Sequence, residues 1–452
     1  MTLLNELSAE VCQRARMSRD PRFDGRFFVA VKTTGIFCRP ICPANLPKEE
    51  NVEYFSSQAL AVSAGYRPCL RCRPESAPHS WAWKGAETTF LRALTLIEQG
   101  ELDGSLETLA SRLGISDRYL RQLFQRHLGM PPKQYAQIQQ LMFAKQLLHT
   151  SQISITEVAY ASGFQSTRRF NDAFQKLFRL TPTQVRRERA ALPSRNHLSL
   201  AFRGPFDWAH MLDFYRLRAI EGMELVDEQS YQRHFVLGEG TGWFKASMAQ
   251  SHLDIEFEME RLSDLRHLVA RLRRMFDLDA DLISIEAHLE QVAPGLVRRT
   301  GIRILGVWNA WEAGVRAVLG QQVSVKAAIG QLNLLVSTLA ASEGSTRYFP
   351  TPEQVQMSDL SFLRMPERRK ETLKRLADYV RLHPMDSPMA WLSLSGIGPW
   401  TVDYAQLRGE SRSHCFLTGD LIVKKALAKF PQLTAESVAP WGSYATFHCW
   451  SH

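Results

Sequence analysis

The run Leu394-Ser395-Gly396-Ile397-Gly398-Pro399-Trp400 admits few folds. Leu-x-Gly-Ile-Gly between two helical segments reads as a helical hairpin. Its glycines permit a tight turn, and backbone N–H groups at the start of the second helix can then face a phosphate. A carboxylate follows in Cys415-Phe416-Leu417-Thr418-Gly419-Asp420. Beyond about Ser263 the apolar pattern is helical to the end, so the hairpin belongs to an all-α domain.

The chain has 452 residues, enough for about three domains with their own cores. Its charge is segregated. Residues 1–190 hold 26 Lys+Arg against 17 Asp+Glu, a net of +9, whereas residues 191–452 hold 29 of each. The basic excess implies that the first part supplies most of the attraction to nucleic-acid phosphate. No apolar run is long enough for a signal peptide or a membrane span. Seven cysteines, an odd number, without export features point away from disulfides and toward a reducing cytoplasm.

Four of those cysteines form Cys38-x3-Cys42, then 26 residues, then Cys69-x2-Cys72. Two close pairs joined by a loop suit a tetrahedral Zn(2+) thiolate site, with Zn–S near about 2.3 Å, and such a site can be purely structural. The surrounding words Gly35-Ile36-Phe37-Cys38-Arg39-Pro40, Glu50-Asn51-Val52-Glu53-Tyr54-Phe55 and Gly65-Tyr66-Arg67-Pro68-Cys69-Leu70-Arg71-Cys72 resemble the N-terminal domain of the Ada family over roughly residues 1–80. The resemblance implies that Cys38 is both metal ligand and methyl acceptor, taking the methyl from a DNA methylphosphotriester. A zinc-bound thiolate is the nucleophilic form. Methylating it moves the formal charge of the four-thiolate site from about −2 to about −1, so repair strengthens attraction to phosphate. Thr34 and Arg67 match backbone-contacting positions of the family, whereas Pro43 and Asn45 stand where members can carry arginines.

From about Thr88 to Arg189 the chain repeats itself. Ser105–Ser116 recurs as Ser154–Gln165, with an offset of 49 from Gly114 to Gly163 and 50 from Phe124 to Phe174. Each copy has apolar residues at helical spacing, a turn glycine, then Ser116 or Ser166 opening an arginine-rich helix, which is helix-turn-helix grammar. With Gly129-Met130-Pro131-Pro132 echoed by Arg179-Leu180-Thr181-Pro182, the doubled unit resembles the AraC/XylS DNA-binding domain. Arg118, Arg121 and Gln122, then Thr167, Arg168 and Asn171, are candidate base readers, and each serves equally well as a phosphate clamp.

Around Pro193-Ser194-Arg195-Asn196 charge and pattern both change, which marks a linker. Leu198–Phe202, Arg233–Leu237, Trp243–Ala246 and Leu253–Phe257 alternate like half-buried strands, interrupted by an amphipathic helix near Phe206–Glu221. From about Asn196 onward the chain resembles the AlkA family of 3-methyladenine DNA glycosylases, in the helix-hairpin-helix superfamily. The resemblance implies that Gly396 and Gly398 hold DNA, that Trp400, Tyr404 and Trp450 form a pocket for an alkylated base, and that Asp420 is catalytic. Asp420 either stabilises the oxocarbenium-like sugar or activates the attacking water. Gln322 stands at the position of the wedge that fills the gap left by an everted base, where relatives carry an apolar residue; the same position also reads as a polar exit from a core helix.

Trp400 occupies the place of the Schiff-base lysine of strand-cleaving relatives, which implies a monofunctional enzyme. Cys415 and Cys449 lack iron–sulfur spacing. His414 replaces a common acidic residue, and the chain stops soon after Trp450, which implies a pocket without a C-terminal cover. No Pro-Cys-His-Arg motif for O6-methylguanine repair is present.

The expected fold is multidomain, mainly α with α+β parts. It comprises a small four-cysteine zinc α+β domain (1–80), an all-α double helix-turn-helix domain (85–190), an α+β subdomain (196–285) and an all-α helix-hairpin-helix domain (286–452). The expected function is a bifunctional alkylation response: a transcriptional activator switched by methylation of Cys38, joined to a glycosylase of alkylated bases. Its expected partners are double-stranded DNA carrying alkylated bases, methylphosphotriesters or promoter sites, and RNA polymerase, for a cytoplasmic monomer with no membrane association. The rivals are a regulator with a degenerate glycosylase module, and a repair enzyme whose helix-turn-helix domain only tethers it to DNA.

Overall fold

The computed structural model describes residues 7–20, 23–72, 74, 81–98, 100, 102, 105–187, 196–339, 342–344, 346–384 and 386–451. The chain forms two compact units, Met1–Gln139 and Gln140–His452.

In the first unit, strands Val52–Phe55, Phe28–Val31 and Ile36–Cys38 pair antiparallel, and Arg67–Pro68 adds parallel to Ile36–Cys38. Strand alternation divides the apolar side chains between two faces. Val29 and Val52 pack with Phe27 under helix Ala9–Ser18, through Cys12 and Ala15. Phe28, Ala30 and Phe37 pack with Ala61 of helix Gln58–Ser63. Helices Trp81–Glu98, Leu106–Arg112 and Asp117–Leu128 enclose a separate core around Leu109, Leu120 and Phe124. Helix Pro132–Thr150 contains the point at which the two units divide.

The second helix-turn-helix, Ile155–Ala161 and Thr167–Phe178, lies in the second unit. Ser154 and Glu157 cap the first of its helices reciprocally, and Ser166 accepts from the Arg169 amide to open the second. Ser116 does the same for the first copy by accepting from the Tyr119 amide at 3.2 Å. Phe170 and Phe174 join one continuous apolar cluster with the sheet that follows. That sheet is five-stranded and antiparallel, ordered His197–Ala201, His252–Met259, Gly240–Met248, Ser230–Leu237, Glu224–Val226. The alternating segments of the sequence are its strands, longer at several ends, and the edge strand Glu224–Val226 is additional. Of the linker expected at Pro193–Asn196, only Asn196 falls among the described residues.

Helices then continue to the end, apart from a small ladder pairing Ser342–Glu343 with Thr346–Arg347. Their core gathers Trp311, Val315, Leu332, Leu373, Leu376, Trp391 and Val402. A buried ionic group fastens the sheet to helix Ala310–Gly320. Arg233 bonds Glu224 at 2.7 Å and Glu312 at 2.5 Å, while Arg316 bonds Glu312 at 2.8 Å and Glu224 at 3.2 Å. Two cations balance two anions, so removing any one would strand a buried charge at a cost of about 3–5 kcal/mol.

Candidate functional site

Cys38 ends strand Ile36–Cys38, and Cys69 follows the parallel strand Arg67–Pro68 with its amide on the Phe37 carbonyl at 2.9 Å. Sheet pairing thus places one cysteine of each couple side by side. A turn from Arg39 brings in Cys42, whose amide donates to the Arg39 carbonyl at 3.1 Å. Cys72 Sγ accepts from the Arg39 amide at 3.3 Å, and the Arg39 guanidinium is held by Asp24 and by the Cys72 carbonyl. All four sulfurs lie within 4.8 Å of one another. A tetrahedral Zn(2+) thiolate shell needs sulfur–sulfur edges of about 3.8 Å, so the four residues fit the ion with only small adjustment. Of the four, Cys38 is the one whose ligand group is not buried, which leaves it accessible. Without a cation, the hydrogen bond between Cys38 and Cys72 drives their two acidities apart. Cys72 is lowered to about 6 by its bond with Cys38, and Cys38 is raised by that same bond and by burial. A bound cation reverses that for Cys38 by favouring the thiolate of every ligand. Thr34 and Arg67 are both exposed beside Gly35, whose carbonyl accepts from the Arg67 amide at 2.9 Å.

Arg118, Arg121 and Gln122 are exposed on helix Asp117–Leu128, with Arg121 bonded to Asp117 at 3.0 Å. On helix Thr167–Phe178 the exposed residues are Arg168 and Asn171, with Thr167 half-buried. The two sets of candidate readers therefore belong to different compact units.

In the second unit Asp420 caps helix Leu421–Lys429. Its Oδ1 accepts from the Ile422 amide at 2.9 Å, the Val423 amide at 3.2 Å and the Trp450 indole at 3.1 Å. Among the described residues Oδ2 takes no donor, so one oxygen anchors the carboxylate and the other is unengaged. Trp400 stacks on Tyr404 at 5.3 Å, and Tyr404 lies 6.5 Å from Trp450. All three rings are partly exposed, and Trp400 Cδ1 is 3.7 Å from where a Cβ on Gly419 would stand. The aromatic trio and the carboxylate therefore form one site. Cys415 and Cys449 are buried thiols pushed up to about 12 by burial, inert rather than nucleophilic.

The hairpin joins the short helix Pro388–Ser393 to Pro399–Glu410 through Gly396, at φ +92°. A Cβ there would collide with Thr372 Oγ1, so glycine is required for space as well as conformation. Gln322 is exposed just after helix Ala310–Gly320, at φ +57°.

Three family models match: the metal binding domain of Ada over residues 11–75, a helix-turn-helix domain over 109–188, and the AlkA N-terminal domain over 197–309. A probable bifunctional transcriptional activator/DNA repair enzyme AlkA of Mycobacterium tuberculosis is 34% identical over 98% of this chain and 96% of its own length. The chain belongs to this family. It joins a transcriptional-activator part to a DNA-repair part, and Zn(2+) is the cofactor of the four-cysteine domain. DNA-3-methyladenine glycosylase 2 of Escherichia coli is 32% identical over 56% of this chain and 96% of its own length. The bifunctional transcriptional activator/DNA repair enzyme Ada of the same organism is 35% identical over 38% of this chain and 47% of its own length. Among the described residues no helix is long and apolar enough to cross a membrane.

Sequence reasoning missed the support of the pocket. Phe214, from helix Trp208–Arg216 of the sheet subdomain, stacks on Trp450 at 6.3 Å. The Arg218 guanidinium lies 3.6 Å from the Phe214 ring centre, and burial lowers its pKa to about 10. Buried Arg408 donates to the Tyr404 hydroxyl at 3.1 Å and stands 4.8 Å from the Phe214 ring. Only the four-residue spacing of Tyr404 and Arg408 on one helix carries a local signal, and it is common to most helices.

Proposed function

We propose that this family member repairs alkylated double-stranded DNA in two ways and reports the damage to transcription. In its second unit it acts as a monofunctional DNA-3-methyladenine glycosylase. The observation that carries this reading is the convergence of Trp400, Tyr404 and Trp450 on the anchored Asp420 carboxylate. An N3- or N7-alkylated purine carries positive charge. An aromatic face attracts it by cation–π interaction, about 0.5–2 kcal/mol, and the same charge makes the base a good leaving group. As the N-glycosidic bond breaks, its electron pair leaves with the base and positive charge develops on the sugar. Asp420 Oδ2 then stabilises that charge or takes a proton from the water that attacks C1′. Gly396 and Gly398 hold a backbone phosphate, and Gln322 fills the gap left by the everted nucleotide.

In the first unit Cys38 Sγ attacks the methyl carbon of a methylphosphotriester. The S–C bond forms as the C–O bond breaks, and the phosphodiester anion leaves. Bound zinc supplies a stable thiolate at neutral pH. Cys42, Cys69 and Cys72 complete the ligand set, and Thr34 and Arg67 hold the flanking phosphate. The methylated protein then binds promoter sites through Arg118, Arg121, Gln122, Thr167, Arg168 and Asn171, and recruits RNA polymerase as a cytoplasmic monomer. The domain division 1–80, 85–190, 196–285 and 286–452 belongs to this proposal. The test pairs base release from methylated duplex DNA with methyl transfer from phosphotriester DNA. Absence of free 3-methyladenine, or a methyl group found by mass spectrometry on a cysteine other than Cys38, overturns the corresponding half.

A further inference from the structure

Two loops of the second unit meet through one side chain. Gln321 Nε2 donates to the Gly396 carbonyl at 3.3 Å and to Thr401 Oγ1 at 3.1 Å, which uses both amide hydrogens. Its two acceptors belong to the hairpin: Gly396 is the turn residue, and Thr401, 2% exposed, lies in the first turn of helix Pro399–Glu410. The hairpin end of this link has little slack, because Gly396 sits tight against Thr372.

At its other end Gln321 adjoins Gln322, which is exposed and in the left-handed region that L residues rarely adopt. Among the described residues Gln322 has no side-chain hydrogen bond, and Val323 beyond it is 42% exposed. The preceding helix is anchored in its first half. It is capped by Asn309, which accepts from the Glu312 amide at 2.8 Å, and clamped over its first two turns by the buried Arg233–Glu312–Arg316 group. The conformation of the Gln322 loop is therefore tied to the hairpin through the Gln321 amide.

We propose that Gln321 is a positioning residue that makes phosphate capture by the hairpin and insertion of Gln322 a single event. The proposal rests on the glycosylase reading above. A phosphate bound at the start of helix Pro399–Glu410 pulls on a rigid turn, and the Gln321 amide transmits that position to the loop that must occupy the vacated stack. Without the link, the hairpin still binds phosphate, but Gln322 samples other conformations and the base returns to the helix.

The full chain is tested as Gln321→Leu and Gln321→Glu, neither of which can donate both bonds. Three measurements are made: single-turnover base release, the fluorescence of 2-aminopurine placed beside the lesion, and affinity for duplex carrying either the lesion or an abasic-site analogue. Both variants should slow release and reduce the eversion signal roughly tenfold. Affinity for the abasic duplex should stay within about threefold, because no base has to be evicted there. Gln322→Ala should slow the wild type but add little in the Gln321→Leu background, as residues acting as one unit do. Full additivity of the two changes, or equal loss of affinity for lesion and abasic duplexes, overturns the proposal and leaves a passive strut. A lowered thermal midpoint in Gln321→Leu shifts the decision to Gln321→Glu under the same criteria. Wild-type chain that releases no base overturns the glycosylase reading itself, and wild-type release with unimpaired variants overturns the coupling alone.

Discussion

The thiol cluster and the aromatic pocket are assembled over different lengths of chain and held by different forces. All four cysteines lie between Cys38 and Cys72, brought together by one strand pairing and two turns. Four thiolates repel one another, so their close approach depends on a cation between them. The pocket draws on Phe214, Trp400, Tyr404, Arg408, Asp420 and Trp450, and it is held by ring contacts and by hydrogen bonds from Arg408 and Trp450. A short-range site can be dismantled by removing one atom, whereas a long-range site survives unless the core that supports it fails.

Zinc removal probes this difference most severely. Structural zinc contributes about 10–16 kcal/mol to small domains of this kind. A chelator should therefore abolish methyl acceptance and melt the four-stranded sheet, while base release by the same chain persists. Assaying both activities on one chelated sample checks this. Loss of base release under chelation would mean that the two sites are not independent.

Asp420→Asn acts on the other site. Asn can keep the bonds from the Ile422 and Val423 amides and from Trp450, so the pocket should retain its shape. Loss of the charge should lower single-turnover release by about 100- to 1,000-fold, with duplex affinity within a few-fold. A near wild-type rate would move the chemistry to another group.

Acid should separate the two regions in opposite directions. Burial pushes the Asp277 carboxyl up to about 6, against bonds from the Ile304 amide and the Tyr444 hydroxyl. Between the ordinary carboxylate range and pH 6, the folded chain binds a proton that the unfolded chain does not. Asp277 therefore penalises the fold above pH 6, and that penalty, about 2–3 kcal/mol, is relieved as pH falls toward 4. Over the same interval, protonation of the thiolates releases zinc and weakens the first unit. Urea titration of the second unit's tryptophan fluorescence at pH 7 and pH 5 should show the gain in wild type and not in Asp277→Asn. An equal pH response in both would remove Asp277 as its source.

The smallest effect expected is the switch itself. Methylating Cys38 removes one negative charge facing phosphate, on the order of 1 kcal/mol or about fivefold in promoter affinity. The advantage should shrink as salt rises. Titrating methylated and unmodified chain at several salt concentrations measures it. Equal affinities at low salt would favour a helix-turn-helix domain that only tethers the enzyme to DNA.

Much of this molecule was legible in order along the chain, because the informative features are local. Cysteine spacing at a strand end, Ser116 and Ser166 before arginine-rich helices, alternating strand residues and the Gly396–Gly398 turn each express a backbone requirement within a few residues. The strand Glu224–Val226 was not legible: three residues carry too little alternation, and its place depends on pairing with Ser230–Leu237.

The sequence by itself determined which parts are present: a four-thiol metal site, a doubled helix-turn-helix, and a carboxylate after a glycine hairpin. Only the tertiary structure decided what supports them. The ring of Phe214 under Trp450, the Arg408 guanidinium on Tyr404 and the Gln321 amide on the hairpin are contacts of packed helices and turns. Such contacts leave no periodicity to read, because they are set by how whole helices pack and not by the conformational preference of any one segment.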